Sequence, residues 1–344
     1  MKTSVFQKID PFKIKNKKDF FFKKIKNLTI FHYKKSKEYN KILKSLKFNP
    51  LNIKNLKDMP FLPVNLFKKN NLMSINKNDV AKTLFSSGTS GNSTSKIFLD
   101  KENTKNQIIV LKKIMTNFLG SERLPMLIVD NDPSENNRKK FDARSAAIHG
   151  FSIFGRNHTF IVNKLGKLDY VKINNFLEKY GNKKFLIFGF TSFIYSNLII
   201  NLDNKKVHKN FENGVLLHGG GWKKLKDINI SNDLFKKKLF KKIKIKKIHN
   251  YYGLVEQTGS IFIECEKCGS FLTSNFSDVF IRDKFFNLVK DGTSGIVQLF
   301  SFLPTSYPGH NILTEDYGEI VPKNKTKCKK NVKHFVIHGR LKQS

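Results

Sequence analysis

The first 58 residues place apolar side chains among lysines at helical spacing. The apolar positions recur every three or four residues: Phe20, Phe21, Ile25 and Leu28, then Tyr39, Leu43 and Leu46. This spacing predicts two or three amphipathic helices. Pro60 and Pro63 push the residues before them toward extended backbone, so we expect a linker into the main domain at residues 59–63.

Beyond the linker, strand-like and helical patterns follow each other. Residues 83–85 and 96–99 have strand-like patterns on either side of a loop that is rich in Ser, Thr and Gly. Helical spacing returns at residues 102–119. The order predicted here is a strand, a loop, a second strand and a helix.

Three apolar runs predict buried strands of the kind found in α/β sheets: residues 125–130, 185–190 and 215–217. Thr191 or Ser192 is expected to cap a helix after the second run. The longest uncharged run, residues 185–200, contains polar members and is shorter than the ~20 apolar residues that cross a bilayer, so no transmembrane segment is predicted. This run suits either the wall of an acyl pocket or a buried strand with a core helix, and we favour the core.

Composition indicates a globular protein with a lysine coat. Hydrophobic residues make up 39% of the chain and 33 residues are Phe, whereas disordered chains are poor in aromatics. The net charge of +37 would ordinarily favour nucleic acid or anionic membrane as a partner. Only six of the 64 basic residues are Arg, the residue that dominates bidentate recognition of bases and phosphates. We therefore interpret the lysines as a solvated coat and do not expect a nucleic-acid partner.

The three cysteines do not form the framework of a small disulfide-rich protein, and their odd number suits a reducing compartment. The first residues lack an apolar signal core, so a cytoplasmic location is expected. Cys265 and Cys268 have the spacing of half a zinc site, but Cys328 and His334 lie 60 or more positions away, so we favour a loop without metal. Cys328 as an acyl-carrying nucleophile is the less favoured alternative.

The strongest chemical signal is the loop FSSGTSGNSTSK at residues 85–96. Its small residues let backbone N–H groups approach an anion, its hydroxyls add donors, and Lys96 supplies positive charge for a polyphosphate. An ordinary P-loop NTPase is disfavoured, because the Walker pattern needs Lys and Ser or Thr directly after the second glycine. Taken alone, the loop is equally compatible with a flexible linker.

Two further stretches carry candidate chemistry. At residues 218–223 (HGGGWK), three glycines in series indicate a backbone packed against something flat, such as a nucleotide base, or a tight turn only. At residues 250–259 (NYYGLVEQTG), Glu256 is a plausible Mg²⁺ ligand, because this ion binds one or two carboxylates together with substrate phosphates. A solvated turn residue is the alternative interpretation of Glu256.

In this order, the three stretches resemble the adenylate-forming superfamily and, in detail, the acyl-protein synthetase family of bacterial bioluminescence operons, the long-chain-fatty-acid–luciferin-component ligases. The resemblance covers nearly the whole chain. It also includes four shorter segments: MPFLP at 59–63, LFK at 66–68, TED at 314–316 and GR at 339–340.

The resemblance implies a role for each matching residue. The ATP phosphates would be held by Lys96 and the loop residues Ser86, Ser87, Gly88, Thr89, Ser90 and Gly91. The adenine pocket would be lined by Gly219, Gly220, Gly221 and Trp222, with Tyr252 and Gly253 beside it and beside the reacting carboxylate. Glu256 would hold Mg²⁺, Asp316 would accept hydrogen bonds from the ribose hydroxyls, and Arg340 would lie at a hinge leading to a mobile lid.

The chain departs from the family pattern at two places. Val255 stands where the superfamily usually has Thr, and only four residues follow Arg340, where larger relatives carry a lid of on the order of 100 residues. The lid lysine that assists adenylation and the acyl-accepting cysteine near the family's C-terminus therefore have no counterpart. These departures have two interpretations. Either the transfer step uses a partner, or the protein is clipped or weakly active.

We therefore predict an α/β fold, the large domain of an adenylate-forming enzyme, with mixed α/β subdomains, a β-barrel-like part and a largely absent C-terminal lid. The expected segments are a helical segment at 1–58, the adenylate-forming core at 59–338, and a hinge with a lid stub at 339–344. The predicted function is activation of a carboxylic acid, preferably a fatty acid, by ATP and Mg²⁺, with transfer to a protein or carrier thiol. The alternatives are a coenzyme A ligase of the phenylacetate-activating type and a non-catalytic basic binding protein.

Overall fold

The structure, a computed structural model, describes residues 4–14, 16–86, 94–133, 143–209, 211–221, 230–326, 328 and 330–341. The chain folds into two compact units. Unit 1 is formed by the described residues of 1–118, 253–262 and 270–344, and unit 2 by those of 119–252 and 263–269. Residues 1–58 therefore belong to unit 1, and the predicted division at 58 and 338 stays a prediction.

The helices are α1 (Val5–Lys8), α2 (Lys17–Lys35), α3 (Lys37–Ser45), α4 (Leu66–Lys69), α5 (Lys101–Leu119), α6 (Ala143–Ser152), α7 (Tyr170–Tyr180), α8 (Thr191–Ile194) and α9 (Asn232–Ile243). The strands are β1 (Leu62–Pro63), β2 (Lys82–Phe85), β3 (Lys96–Leu99), β4 (Leu124–Ile128), β5 (Gly155–Phe160), β6 (Phe185–Phe190), β7 (Gly214–Gly219), β8 (Lys247–Tyr252), β9 (Phe262–Glu264), β10 (Phe271–Leu272), β11 (Ser277–Arg282), β12 (Gly295–Ser301), β13 (Asn311–Val321) and β14 (His334–Arg340).

In unit 1 an antiparallel sheet has the strand order β11-β12-β13-β14-β10, and β1 runs parallel to β13. The prediction of a strand-rich C-terminal part is confirmed. β2 and β3 form a separate antiparallel pair around the Ser, Thr and Gly-rich loop, as the sequence pattern predicts. The expected linker at residues 59–63 ends in strand β1.

Helices α2 and α3 confirm the amphipathic helices that the apolar spacing of the first 58 residues predicts. Phe21, Ile25, Tyr39 and Leu43 are buried as expected. The prediction was wrong for Leu46, which is 60% exposed because it lies at the C-cap of α3, past the buried stripe.

In unit 2 the strands β5-β4-β6-β7-β8 are all parallel, and β9 lies beside β8. Helices cover both faces, since Phe185 and Ile187 join a core cluster with α7 and α9, whereas Phe188 contacts Phe151 of α6. Every residue of β4, β6 and β7 is buried, as the apolar runs predict, and residues 185–188 are core.

The parallel order places the carboxyl ends of four strands at one edge of this sheet. β4, β6, β7 and β8 end at Ile128, Phe190, Gly219 and Tyr252. Ligands of open α/β sheets bind outside such an edge. Across the described ranges, no helix combines the length and apolar character needed to cross a membrane.

Candidate active site

A buried carboxylate, Glu256, is the chemical centre of unit 1. It lies in the short 3₁₀ turn Val255–Gln257 that follows β8, and only 6% of the residue is exposed. Burial raises its pKa, while the nearby Ser95 hydroxyl and Lys68 ammonium lower it and Glu315 raises it. A buried carboxylate costs free energy unless cations or donors surround it. The alternative interpretation, a solvated turn residue, is therefore wrong, because the Glu256 side chain is buried.

The ends of the Ser, Thr and Gly-rich loop are fastened to each other near Glu256. The Ser86 N–H donates to the Ser95 carbonyl at 3.1 Å, and the Ser95 N–H donates to the Ser86 hydroxyl at 2.9 Å. The Ser95 side chain is fully buried beside Glu256, although its hydroxyl makes no hydrogen bond of normal geometry within the described ranges. The predicted phosphate-binding residues Ser87, Gly88, Thr89, Ser90 and Gly91 lie outside the described residues.

Lys68 of α4 is the cation of this cluster. Its Nζ lies 4.0 Å from a carboxylate oxygen of Glu315 in β13, and its charge also reaches Glu256. Neither Lys68 nor Glu315 had been assigned a role from sequence, although both lie in segments that carry the resemblance. Because α4 follows β1 and β1 pairs with β13, Lys68 lies close to Glu315.

Asp316 and Arg340 face each other across the register of β13 and β14. Arg340 Nε lies 3.8 Å from Asp316 Oδ1; Asp316 is nearly buried, whereas the Arg340 side chain is 65% exposed. Strand pairing continues past them, since the Leu341 N–H donates to the Glu315 carbonyl at 2.8 Å. A carboxylate fixed on a strand with one exposed cation suits an acceptor for hydroxyl groups.

Lys96 is not placed with the Glu256 cluster. It is the first residue of β3 and exposed, while its neighbours Ser95 and Ile97 are buried. Successive strand residues point to opposite faces, so Lys96 faces away from Ile97. Its predicted contact with the ATP phosphates stays a prediction.

In unit 2 the glycine stretch turns sharply at the carboxyl end of β7. A Cβ on Gly219 would lie 2.6 Å from the ring of Tyr251, and one on Gly220 would lie 2.4 Å from the ring of Phe190. Gly220 and Gly221 have φ of +78° and +63°, which L side chains rarely adopt. The expected flat neighbours are thus the protein's own aromatic rings. For Gly221, no described atom lies within 4 Å of an added Cβ; Trp222 lies outside the described residues.

Hydrogen bonds of Thr191 with His218 and with Gly219 fix the start of this glycine turn. The Thr191 hydroxyl donates to the Gly219 carbonyl at 3.1 Å, so it must accept from His218 Nδ1 at 2.9 Å. Burial lowers the pKa of His218 to about 3, with the charges of Lys236 and His249 adding to the effect, so the ring is neutral. The predicted helix cap is wrong: Thr191 already lies inside α8 and its hydroxyl points to β7 instead.

The remaining predicted residues occupy the junction after β8. Tyr252 ends β8 in unit 2 and is half-buried, and Gly253 begins the next segment of unit 1 and is exposed. Cys265 is buried and Cys268 and Cys328 are half-buried; the three form no disulfide. Within the described ranges, no group of three or more His, Cys, Asp or Glu side chains is arranged to hold a metal ion.

Glu256 nevertheless suits Mg²⁺ of the kind that nucleotide enzymes bind. This ion keeps several waters and takes one or two protein carboxylates plus substrate phosphates, so it needs no cage of protein ligands. A carboxylate whose charge is raised in energy by burial gains from a cation that arrives with a nucleotide. Glu315, with a carboxylate oxygen 4.0 Å from Lys68 Nζ, is a second carboxylate in this cluster.

Comparison with known proteins gives one family match. The family model described as acyl-protein synthetase, LuxE, matches residues 3–344. No curated protein sequence matches the chain.

Solved structures of similar fold are ligases and related enzymes. A 2-hydroxyisobutyryl-CoA ligase in the postadenylation state, in complex with 2-HIB-AMP, has a TM-score of 0.75 at 12% identity, over 94% of this chain and 68% of its own. The luciferase-like enzyme of the nonluminescent mealworm Zophobas morio has a TM-score of 0.51 at 16% identity, over 79% of this chain and 60% of its own. The amide bond synthetase McbA of Marinactinospora thermotolerans has a TM-score of 0.50 at 13% identity, over 77% of this chain and 50% of its own. At these identities the likeness concerns the fold.

Proposed function

Because this chain belongs to the acyl-protein synthetase family LuxE, we propose that it uses ATP and Mg²⁺ to activate a fatty acid as an acyl-adenylate. As a member of that family it is an adenylate-forming ligase. The acyl group then passes to a thiol of a protein or carrier. The long-chain acid, the metal and a cytoplasmic location are the finer parts of this proposal.

The observation that carries the proposal is the buried Glu256 carboxylate between the fastened ends of the Ser, Thr and Gly-rich loop and Lys68. The described ends of a loop whose composition suits phosphate binding therefore lie near a carboxylate that can hold Mg²⁺. This combination supports a reaction on a nucleoside triphosphate.

The chemistry requires charge neutralisation more than a strong base. A carboxylate oxygen of the acid attacks the α-phosphorus, the bond to the bridging oxygen of pyrophosphate breaks, and acyl-AMP and pyrophosphate form. A thiolate then attacks the acyl carbon and AMP leaves. Both reactants of the first step are anions, so positioning and fixed positive charge lower the barrier. Mg²⁺, when bound, adds positive charge at the phosphates.

The residues of unit 1 take the following proposed roles. Ser86 and the loop after it, with Lys96, bind the phosphates, and Glu256 holds Mg²⁺. Asp316 accepts hydrogen bonds from the ribose hydroxyls. Arg340, exposed next to Asp316, remains the proposed hinge residue.

The residues of unit 2 take the proposed role of binding adenine. Gly219 and Gly220 are backed by aromatic rings, and no described atom lies within 4 Å of a Cβ added to Gly221, which supports the approach of a flat base to this backbone. Tyr252 and Gly253 complete the proposed set beside the reacting carboxylate.

Exchange of labelled pyrophosphate into ATP, measured with carboxylic acids of increasing chain length, tests the proposal. We expect exchange that depends on both Mg²⁺ and acid and is strongest with a fatty acid. Offering either coenzyme A or a candidate carrier protein then identifies the thiol by which of the two becomes acylated. Background exchange with every acid, together with salt-sensitive nucleic-acid binding, would instead favour the non-catalytic basic protein.

A further inference from the structure

The hydroxyl of Ser95 in unit 1 is both buried and unpaired. Ser95 is fully buried, and its Oγ has no hydrogen-bond partner of normal geometry among the residues that the structure describes. An unpaired hydroxyl in the interior costs free energy, which an apolar group of similar size would avoid. Such groups are rare in proteins, so this hydroxyl requires an explanation beyond the filling of space.

The main chain of Ser95 fastens the Ser, Thr and Gly-rich loop without help from this hydroxyl. The Ser95 carbonyl accepts from the Ser86 N–H at 3.1 Å, and the Ser95 N–H donates to the Ser86 hydroxyl at 2.9 Å. Both bonds use backbone atoms of Ser95, so they do not depend on its side chain. Closure of the loop therefore does not explain the Ser95 hydroxyl.

The Ser95 hydroxyl lies beside the buried Glu256 carboxylate. It is close enough to act as a donor to this carboxylate and to lower its pKa, as the Lys68 ammonium also does. The two groups differ in kind, since Ser95 is neutral and fully buried, whereas the Lys68 side chain is 31% exposed and also lies near Glu315. Glu256 thus has a fixed, uncharged donor at the end of the loop.

The main chain around Glu256 is held by its neighbours. Gln257 Nε2 donates to the Leu299 and Gly309 carbonyls at 3.0 Å and 2.9 Å. A Cβ on Gly309 would lie 2.5 Å from the Glu256 carbonyl oxygen and 2.3 Å from the Tyr307 ring, so these residues pack closely. Because the backbone is held, rotation of the side-chain carboxylate decides which oxygen is available to a cation.

We propose that Ser95 is a positioning residue for Glu256: its hydroxyl donates to one carboxylate oxygen and leaves the other oxygen for Mg²⁺. Carboxylates that bind metals are themselves held by hydrogen bonds, and loss of such a partner lowers metal affinity or activity by about 10–100-fold. This role rests on the proposed function, in which Glu256 holds Mg²⁺. It adds a connection between the end of the loop and the metal ligand through one side chain.

Mn²⁺ binding, measured by electron paramagnetic resonance with Mn²⁺ in place of Mg²⁺, tests this role. The titration is made in the presence of a non-hydrolysable ATP analogue, so the result does not depend on turnover. We expect Ser95→Ala to weaken Mn²⁺ binding in this complex by about tenfold or more. Binding of the analogue in EDTA, without metal, should change by less than about twofold, because alanine keeps both backbone bonds to Ser86.

Ser274→Ala is the matched control, because Ser274 is another buried serine of unit 1 and its hydroxyl is paired. Its Oγ lies 3.1 Å from Ser277 Oγ and accepts from the Phe276 N–H at 3.2 Å. This variant should lower the thermal midpoint, since it leaves a buried N–H without its acceptor, and should keep Mn²⁺ binding within about twofold of the unchanged protein.

The possible results separate this role from the ligase activity. Equal Mn²⁺ binding by Ser95→Ala and the unchanged protein would overturn the role of Ser95 and leave the proposed function intact. Parallel weakening of Mn²⁺ binding and metal-free analogue binding would also overturn it, because Ser95 would then only shape the loop. If the unchanged protein bound neither Mn²⁺ nor the analogue, the proposed function would fail, and the role of Ser95 with it.

Discussion

At the scale of single residues, Glu256 combines a cost in stability with a chemical purpose. Burial raises its pKa above the ordinary value of 4.5, so the folded protein binds this proton more tightly than the unfolded chain. Its contribution to stability is therefore present at low pH and is lost as the pH rises through the folded pKa. Above the folded pKa the ionised, buried carboxylate lowers the stability of the fold, and a bound cation would offset that cost.

We predict that Glu256→Gln lowers Mg²⁺-dependent pyrophosphate exchange by about 10²-fold or more, as loss of a fixed charge-stabilising group does. The thermal midpoint at pH 8 should be equal to or above that of the unchanged protein, because a buried charge is removed. Exchange assays and thermal unfolding measure the two effects. Glu315→Gln, at the exposed side of the cluster, serves as the control and should retain more exchange activity. Normal exchange in Glu256→Gln would remove Glu256 from the site.

Thr191 is predicted to position the glycine turn. Thr191→Val deletes the hydroxyl that links His218 to the Gly219 carbonyl and leaves a buried N–H unpaired, at a cost of about 1–3 kcal/mol. We expect the KM for ATP to rise more than kcat falls, while Thr191→Ser, which keeps the hydroxyl, restores both. A lower thermal midpoint with unchanged KM would show that Thr191 only supports the fold.

At the scale of elements, helix α2 is joined to the rest of unit 1 by polar contacts as well as apolar ones. His32 Nδ1 lies 2.7 Å from the Ser74 hydroxyl and its Nε2 lies 3.0 Å from the Pro304 carbonyl. The His32 and His310 rings stack with centroids 4.9 Å apart, and the Thr29 hydroxyl oxygen lies 2.9 Å from His310 Nε2. Both rings are fully buried, so both must stay neutral.

The buried His32 predicts that the protein loses stability in mild acid. Burial lowers the pKa of His32 to about 3, so between pH 6.5 and 3 the unfolded chain carries a proton that the folded protein lacks. Stability should fall by up to about 1.4 kcal/mol per pH unit for this group as the pH drops through that window. Urea unfolding at several pH values measures the slope. His32→Gln should reduce it, and His208→Gln, an exposed control, should leave it unchanged; a slope independent of His32 would contradict the assignment.

At the scale of the whole molecule, charge is the dominant feature. A net charge of +37 repels itself throughout the chain and destabilises the compact state. Among the described residues, lysines that form ion pairs with carboxylates include Lys68, Lys172, Lys236 and Lys333, and the 27 acidic residues cannot neutralise all 64 basic ones. Dissolved salt must therefore screen most of the repulsion.

The thermal midpoint is predicted to rise with added NaCl. The screening length falls from about 30 Å at 0.01 M salt to about 8 Å at 0.15 M, which is shorter than most distances across the protein. Differential scanning calorimetry across this range should give a steady increase. Tetramethylammonium chloride at equal ionic strength should act similarly, and glucose should not. A midpoint that is insensitive to both salts would mean that the lysine coat is energetically neutral.

The sequence by itself determined the class of fold, the buried strands and the family resemblance. Continuous apolar runs such as residues 185–190 can only be buried, and the helical spacing around Phe21 and Ile25 requires a covered face, so local pattern was sufficient. The family resemblance also singled out Glu256 and Asp316 as candidate residues, whereas the local pattern alone left Glu256 open to a solvated turn.

Only the tertiary structure decided which groups share an environment. The sequence patterns gave no role to Thr29 or His32 and predicted a helix cap at Thr191 or Ser192, yet Thr29, His32 and Thr191 each have a partner far along the chain or on a neighbouring strand. Lys68 and Ser95 became neighbours of Glu256 for the same reason. Burial, charge proximity and the partner of a hydroxyl depend on contacts between distant segments, which no local pattern of residues contains.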